Sequence, residues 1–248
     1  MNIKKLAAAI AASVISVTAV TVTAFAAGTK VPITEKYFPD ENFREYVSRF
    51  DTNGNGWLSQ KERDAVTEID VSKMEITSLK GIRYFQNLEE LNCVGNNITK
   101  LDLNKNTKLT MLYCYDNQIT KLNISECTDL LTITCGKNKL NSLDLSKNTK
   151  LAKIYCFQNE LTSLDVSKNT ELYILACYKN KLTELDVSKN TELDTLLCKD
   201  NNLTELDISR NTMLFELDCS NNELTELDIS KNTKLEDIYC DDNVKIIK

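Results

Sequence analysis

Residues 172–192 read LYILACYKNKLTELDVSKNTE, and this stretch returns along the chain at a fixed interval of 21 residues. Its two halves carry one pattern, LxxLxhxxN with h apolar: Leu172, Leu175, Cys177 and Asn180, then Leu182, Leu185, Val187 and Asn190. Outward from it, Cys177 belongs to a column of Cys93, Cys114, Cys135, Cys156, Cys177, Cys198, Cys219 and Cys240. Asn180 belongs to another, of Asn96, Asn117, Asn138, Asn159, Asn180, Asn201, Asn222 and Asn243. Strict repetition at such a period predicts a solenoid in which each repeat is one coil packed on the next. The alternation of Leu175 with Cys177, and of Leu185 with Val187, predicts two short parallel strands per coil around a narrow apolar core. Neither half has room for a helix, so the expected class is mainly β. Coils about 4.8 Å apart give eight of them a length of roughly 40 Å.

The arrangement resembles leucine-rich repeats, specifically the bacterial 21-residue subclass with two nested copies of the motif. The resemblance covers residues 66–243, where seven complete repeats agree at nearly every framework position. Residues 66–87 form a degenerate opening repeat of 22 residues, with Ile69, Val71, Ile76 and Leu79 in the framework slots. Lys245 and Lys248 fall where leucine is wanted, so a ragged end is expected there. Resemblance to leucine-rich-repeat proteins exported by Gram-positive anaerobes implies a non-enzymatic binding role at the cell surface or toward a host.

Residues 1–27 read as an export signal. Lys4 and Lys5 precede an apolar stretch over residues 6–22, and Ala24-Phe25-Ala26 offers a small-x-small cleavage pattern. The alternative is an uncleaved anchor, against which the many Ala, Ser and Thr residues of the stretch argue. No later segment is apolar enough to insert in a membrane. The expected location is therefore secreted, with or without retention at the cell surface. Loss of Lys4 and Lys5 leaves 28 basic residues against 36 acidic ones, with no basic stripe to displace counterions from nucleic acid. Histidine is absent, which removes the commonest general base and with it Ser-His and Cys-His mechanisms.

Residues 28–65 precede the solenoid (66–248) and carry DTNGNGWLSQKE at 51–62. Asp51, Asn53 and Asn55 fall at positions 1, 3 and 5 of an EF-hand-like calcium loop, and Gly56 supplies the turn at position 6. Trp57 offers its carbonyl, Leu58 an apolar contact, Ser59 a ligand or water bridge, and Glu62 a bidentate carboxylate. Phe43, Val47 and Phe50 recur at helical spacing before the loop, with Asp40 as the cap. Ser59 and Glu62 have capping-box spacing after it. Two formal charges among the ligands predict weak calcium binding, about 10⁻⁴–10⁻³ M, in a structural role. A stiffened cap over the first coil is the reading; an Asx-rich turn without metal is the alternative.

Asparagine at the corners is expected to bond the backbone of its own and the neighbouring coil, about 0.5–1.5 kcal/mol per bond. The cysteines read as small buried hydrophobes. In-register side chains on neighbouring strands stand at the strand spacing, beyond the ~3.8 Å between Cβ atoms that a disulfide prefers. A soft-metal column and a thiol reserve are the alternatives. Free thiols in an exported chain also suggest an anaerobic habitat. Cys127, standing where other coils place Asn106, Asn148 and Asn169, reads as an irregular, reactive thiol.

Outward positions decide recognition. In the second halves they are monotonous, with Asp144, Asp165, Asp186, Asp207 and Asp228 each followed two residues later by serine, a solvated face or a shallow cation stripe. In the first halves they are large and apolar: Met111, Tyr113, Tyr115, Tyr155, Phe157, Ile174, Tyr178, Leu197 and Tyr239. Clustered exposed aromatics mark contact surfaces, although tyrosines can also stack as a ladder that stabilises the sheet. The expected function is a secreted, monomeric, non-enzymatic scaffold presenting this face to an extracellular protein or glycan. A calcium-stabilised spacer or envelope component is the second reading. A carboxylate-pair glycosidase fares worst, because the acids stand in open rows without a cleft.

Overall fold

In the computed structural model, which describes residues 30–248, the chain opens with a helical cap and continues as a stack of coils. The expected signal segment lies outside the described residues, apart from which no helix is long and apolar enough to cross a membrane. Asp40, in extended conformation, accepts from the Phe43 N–H at 3.0 Å and starts helix α1 (Glu41–Ser48), whose Phe43 and Val47 are buried. Ser59 and Glu62 close a reciprocal capping box at the start of α2 (Gln60–Asp64).

The cap is fixed to the first coil by polar and apolar contacts together. The second oxygen of Asp40 accepts from the backbone and hydroxyl of Thr77, both at 2.8 Å, and Asn42 Nδ2 donates to the Met74 carbonyl at 2.8 Å. Phe38 packs edge-on against Phe43 and Tyr84, and its ring lies over Gly81. Gly81 has φ +111°, and a Cβ there would collide with that ring, so only glycine fits.

Nine three-residue strands then stack in parallel: Glu68–Asp70, Glu90–Asn92, Met111–Tyr113, Thr132–Thr134, Lys153–Tyr155, Ile174–Ala176, Thr195–Leu197, Glu216–Asp218 and Asp237–Tyr239. Register is kept throughout, with Leu112 opposite Ile133, Leu175 opposite Leu196, and Leu217 opposite Ile238. These central residues point inward, and burying each stabilises the fold by about 1.5–3 kcal/mol. One residue after each strand comes an inward residue, Val71 after the first and a cysteine after the other eight. All nine cysteines are free; eight are buried and Cys240 is half-buried.

The second halves depart from the expected continuous second sheet. Strand pairing occurs there only between Lys100–Asp102 and Lys121–Asn123, and between Glu226–Asp228 and Lys245–Ile247. Through the middle, around Leu143, Leu164, Leu185 and Leu206, the backbone is not paired into strands, although these leucines stay buried. Coils are thus closely hydrogen-bonded along the nine-stranded sheet and more loosely on the other side.

The last coil also corrects an expectation. Leu227 faces Ile246, nineteen residues on, so the chain shortens by two residues and Ile246 fills the slot that the fixed period assigned to Lys248. Lys245 is exposed and Val244 buried. The end is a paired strand rather than a ragged one.

Corners are turned by two asparagine columns of different quality. In the first, Asn180 Nδ2 donates to the carbonyls of Cys177 (2.9 Å) and Cys156 (3.2 Å), while its Oδ1 accepts from Leu161 N–H at 3.1 Å. The same set recurs from Asn96 to Asn222; Asn243 is exposed and stands outside it. In the second column Asn190 Nδ2 donates to Val166 and Asn169 carbonyls, but its Oδ1 is buried without a protein partner, as in five other coils. Cys127 takes over this role, its Sγ donating to the Leu103 and Asn106 carbonyls at 3.5 Å. It is buried and its thiol is pushed up to about 12 by burial, so it is a structural substitute and not the reactive thiol expected.

Candidate contact surface and calcium loop

In the 51–62 loop, the Asp51 carboxylate is held inward by the N–H groups of Asn55 (3.2 Å) and Gly56 (2.7 Å), and Asn55 Oδ1 accepts from Trp57 N–H at 2.9 Å. Gly54 and Gly56 have φ +67° and +78°, which the tight turn requires. Glu62 reaches back across the loop. Its Oε2 accepts from the N–H and hydroxyl of Ser59, and its Oε1 from the N–H and hydroxyl of Thr52 and from Asn53 Nδ2 at 3.2 Å. Donors from Ser59 first, then Thr52, hold this carboxyl at about 2.

Asp51, Asn53, Asn55 and Glu62 therefore converge on one loop, with the Trp57 carbonyl and Ser59 beside them. The donor set is all oxygen, as calcium prefers, once the Asn53 amide is turned to exchange Nδ2 for Oδ1. Only two of these side chains are carboxylates, and no group of three or more acidic, His or Cys side chains is placed to hold a metal among the described residues. A cation here would rest mainly on neutral oxygens and would have to displace the Ser59 and Thr52 donors from Glu62. Strand β1 (Val31–Pro32) pairs antiparallel with β2 (Trp57–Leu58), Val31 opposite Leu58, both fully buried. The strand braces the loop along one side, where the Ile33 N–H also donates to the Gly56 carbonyl at 3.1 Å.

On the sheet, Tyr113, Tyr155, Leu197 and Tyr239 occupy one outward column and Met111 and Ile174 another. All are half-buried except Tyr239, which is 54% exposed. Tyr113 donates its hydroxyl to Met111 Sδ at 3.3 Å. Tyr115, Phe157 and Tyr178 stand one step beyond the strands and are occupied with each other. Phe157 and Tyr178 stack at 4.6 Å and 3°, and Phe157 leans across Gly136 to reach Tyr115 at 5.8 Å. Lys137 lies 5.0 Å from the Tyr115 ring centroid and Lys199 5.7 Å from that of Tyr178. Lys199 also pairs with the buried Asp218 carboxylate at 2.9 Å. The expected face thus divides into a free part and a self-stacked part. Acidic groups bound it: Glu68, Asp70, Glu89 and Glu90 at the cap end, and Glu216, Asp237, Asp241 and Asp242 at the other.

The second-half aspartates are turn residues. Asp144, Asp165, Asp186, Asp207 and Asp228 each accept from the N–H of the serine two residues on, at 2.8–3.0 Å. That bond, above all, holds their carboxyls below the usual range.

Sequence alternation missed a third group. Leu131, Tyr173 and Phe215 are 45%, 44% and 40% exposed, and each immediately precedes a sheet strand. Strict alternation would turn these positions inward. Instead, consecutive N–H groups share one carbonyl: Tyr173 and Ile174 both donate to Ala152 O (2.8 and 3.1 Å), and Phe215 and Glu216 both donate to Asp194 O. The shared acceptor is a bulge repeated in every coil from Glu89 to Glu236, and it re-aims the preceding side chain to a rim along the sheet. The signal lay in Leu130-Leu131 and Leu214-Phe215, adjacent large apolar residues that no period-2 pattern accommodates.

No family model matches the chain. Over 72 residues, 29% of its length, it is 37% identical to Internalin J of Listeria monocytogenes serotype 4b, of which it spans 8%. A solved functional domain of InlJ from Listeria monocytogenes, described as including a cysteine ladder, matches 88% of this chain at 36% identity and a TM-score of 0.69. The chain spans about half, 53%, of that domain. Internalin C2 from the same species shares the fold at a TM-score of 0.74 and 22% identity, covering 88% of this chain and 97% of its own. The fold is accordingly a mainly β, parallel-strand leucine-rich-repeat solenoid like those of the internalins.

Proposed function

We propose that the chain is a secreted or surface-held, non-enzymatic scaffold that binds an extracellular protein through the nine-stranded sheet. One observation carries the reading. A sheet nine strands wide turns Met111, Tyr113, Tyr155, Ile174 and Leu197 outward in its central coils, between two acidic ends. Apolar and aromatic groups in that setting supply the desolvated centre of an interface, and the acids supply its rim. The likeness to internalins, whose coils share this framework, supports a protein over a glycan as the partner. Replacing Tyr113, Tyr155 and Tyr239 together with Ser tests the proposal, since none belongs to the Phe157 stack. Capture of a partner from cell-surface or mucosal extract should be lost at unchanged melting temperature; capture that survives counts against it.

The stacked Tyr115, Phe157 and Tyr178 favour, for their part of the face, the second reading of a rigid spacer. The 51–62 loop is proposed to hold one weakly bound calcium ion through Asp51, Asn53, Asn55, the Trp57 carbonyl, Ser59 and Glu62. Such an ion would cross-link the loop between α1 and α2. Trp57, the single tryptophan, is exposed beside it and reports the event. Its fluorescence and the melting temperature should both change between millimolar calcium and chelator; identical values in both would remove the ion.

A further inference from the structure

The rim alternates in size. Along it stand Leu131, Ala152, Tyr173, Asp194 and Phe215, one per coil, so three large apolar groups are separated by two small or short ones. The spacing is regular because the bulge recurs in each coil. Two coils at ~4.8 Å place successive knobs, and successive slots between them, ~9.6 Å apart. Among regular polypeptide conformations, polyproline II advances ~3.1 Å per residue with three residues per turn, so every third side chain recurs at ~9.3 Å on one face. A β-strand repeats its face at ~6.6 Å and does not fit. An α-helix repeats at ~10.5 Å over seven residues and matches only if inclined by about 24°.

The slots differ in chemistry. That at Ala152 lies between Leu131 and Tyr173 and offers an apolar floor. That at Asp194 lies between Tyr173 and Phe215, its carboxylate taking the Thr195 hydroxyl at 2.9 Å, with Glu171 and Glu192 exposed on neighbouring loops. On the cap side, by contrast, Lys150 is already paired with Asp129 at 2.6 Å. An aromatic-walled ridge with an acidic slot suits a preformed, low-entropy proline-rich segment carrying one basic residue.

The geometry points to this rim as a docking site for a polyproline-II segment of a partner protein, a proline entering the Ala152 slot and a Lys or Arg three residues away meeting Asp194. The inference rests on the reading of this side of the molecule as a contact surface, and it names the partner's local chemistry.

Fluorescence anisotropy with labelled synthetic proline-rich peptides tests it on the full chain. A peptide with Pro and Lys three residues apart should bind at least about tenfold more tightly than versions spaced by two or four, or with Glu for Lys. Tyr173→Ser with Phe215→Ser should abolish saturable binding at unchanged melting temperature. Asp194→Asn should erase the preference for Lys over Glu while leaving the spacing preference. Affinity independent of spacing, absence of saturable binding to any peptide, or full binding by the rim variant overturns the site. The Tyr113, Tyr155 and Tyr239 variant separates the two readings. If it alone loses the extract partner while the rim variants keep it, the sheet reading stands and the rim inference falls.

Discussion

Raising the pH from 7 to 9 should destabilise this fold by roughly 7 kcal/mol, almost all through the cysteines. Eight thiols are buried. Burial pushes Cys93, Cys127, Cys156 and Cys219 up to about 12, and Cys114, Cys135, Cys177 and Cys198 well above the ordinary thiol value. In the unfolded chain each titrates near about 8.5. The folded values lie above the unfolded ones, so the stabilisation is complete below about 8.5 and is lost as pH rises toward about 12. At pH 9 each unfolded thiol gains roughly 0.8 kcal/mol by ionising, and eight together rival the 5–15 kcal/mol that a domain typically possesses. Urea unfolding followed by far-ultraviolet circular dichroism, under argon with a phosphine reductant, reads the effect at half-unit steps up to pH 9.5. Burial raises Tyr113 and Tyr155 as well, which keeps these two phenols protonated over that range. Replacing Cys135, Cys156, Cys177 and Cys198 with Ala removes half of the buried thiols and should halve the loss, to about 3.5 kcal/mol. A loss under about 2 kcal/mol in the unsubstituted chain, or an unchanged slope in the variant, refutes the reasoning.

Gly136→Ala places a Cβ 2.8 Å from the Phe157 ring, which must swing away from Tyr115; a loss of about 1–3 kcal/mol is expected in thermal melts. Asn180→Ala strands the Leu161 N–H, while the Cys156 and Cys177 carbonyls each keep one donor, from Asn159 and Asn201; it should destabilise by about 1–3 kcal/mol. Asn169→Cys, which copies the Cys127 solution, should lose less than half of that in the same urea titration. Lys179 is one of six non-glycine residues at φ between +47° and +59° in the slot before the asparagine column, where Gly95 supplies a glycine. Lys179→Gly should therefore raise stability by about 0.5–1 kcal/mol, relief of left-handed strain exceeding the added chain entropy. Glu62, held at about 2, contributes stability that is present above about 4.3 and fades as pH falls toward about 2. Glu62→Gln should flatten that acid limb in Trp57 fluorescence.

Whatever follows from period alone was legible. Leu175, Cys177 and Asn180 each occur in the place that a 21-residue coil assigns them, and their burial follows from the alternation of a strand. The cap helix was legible too, because Asp40, Phe43 and Val47 state both its start and its buried stripe. What escaped depends on backbone hydrogen bonding, which side-chain patterns do not carry. Tyr173 and Phe215 face outward because two N–H groups share one carbonyl, and no alternation rule contains that bond. Strand pairing lapses around Leu164 and Leu185 although Leu101 and Leu227, at the same place in the motif, sit in paired strands, so the repeat pattern does not carry it. Ile246 replaces the expected Lys248 because two residues were dropped where the sequence offers no landmark. Phe157 was legible as aromatic and outward, but its occupation by Tyr178 depends on Gly136, two residues that lie two coils apart.

Because large and small groups alternate down the rim, the molecule distinguishes odd from even. Duplicating or deleting a single rung within it by unequal recombination would leave the interior intact, since every rung is interchangeable there. It would nonetheless bring two knobs, or two slots, side by side and erase the beat that an incoming chain must match. Gain or loss of rungs in twos preserves the rhythm. Natural variation in the length of this rod should thus be tolerated by folding at every step and by recognition only at alternate ones.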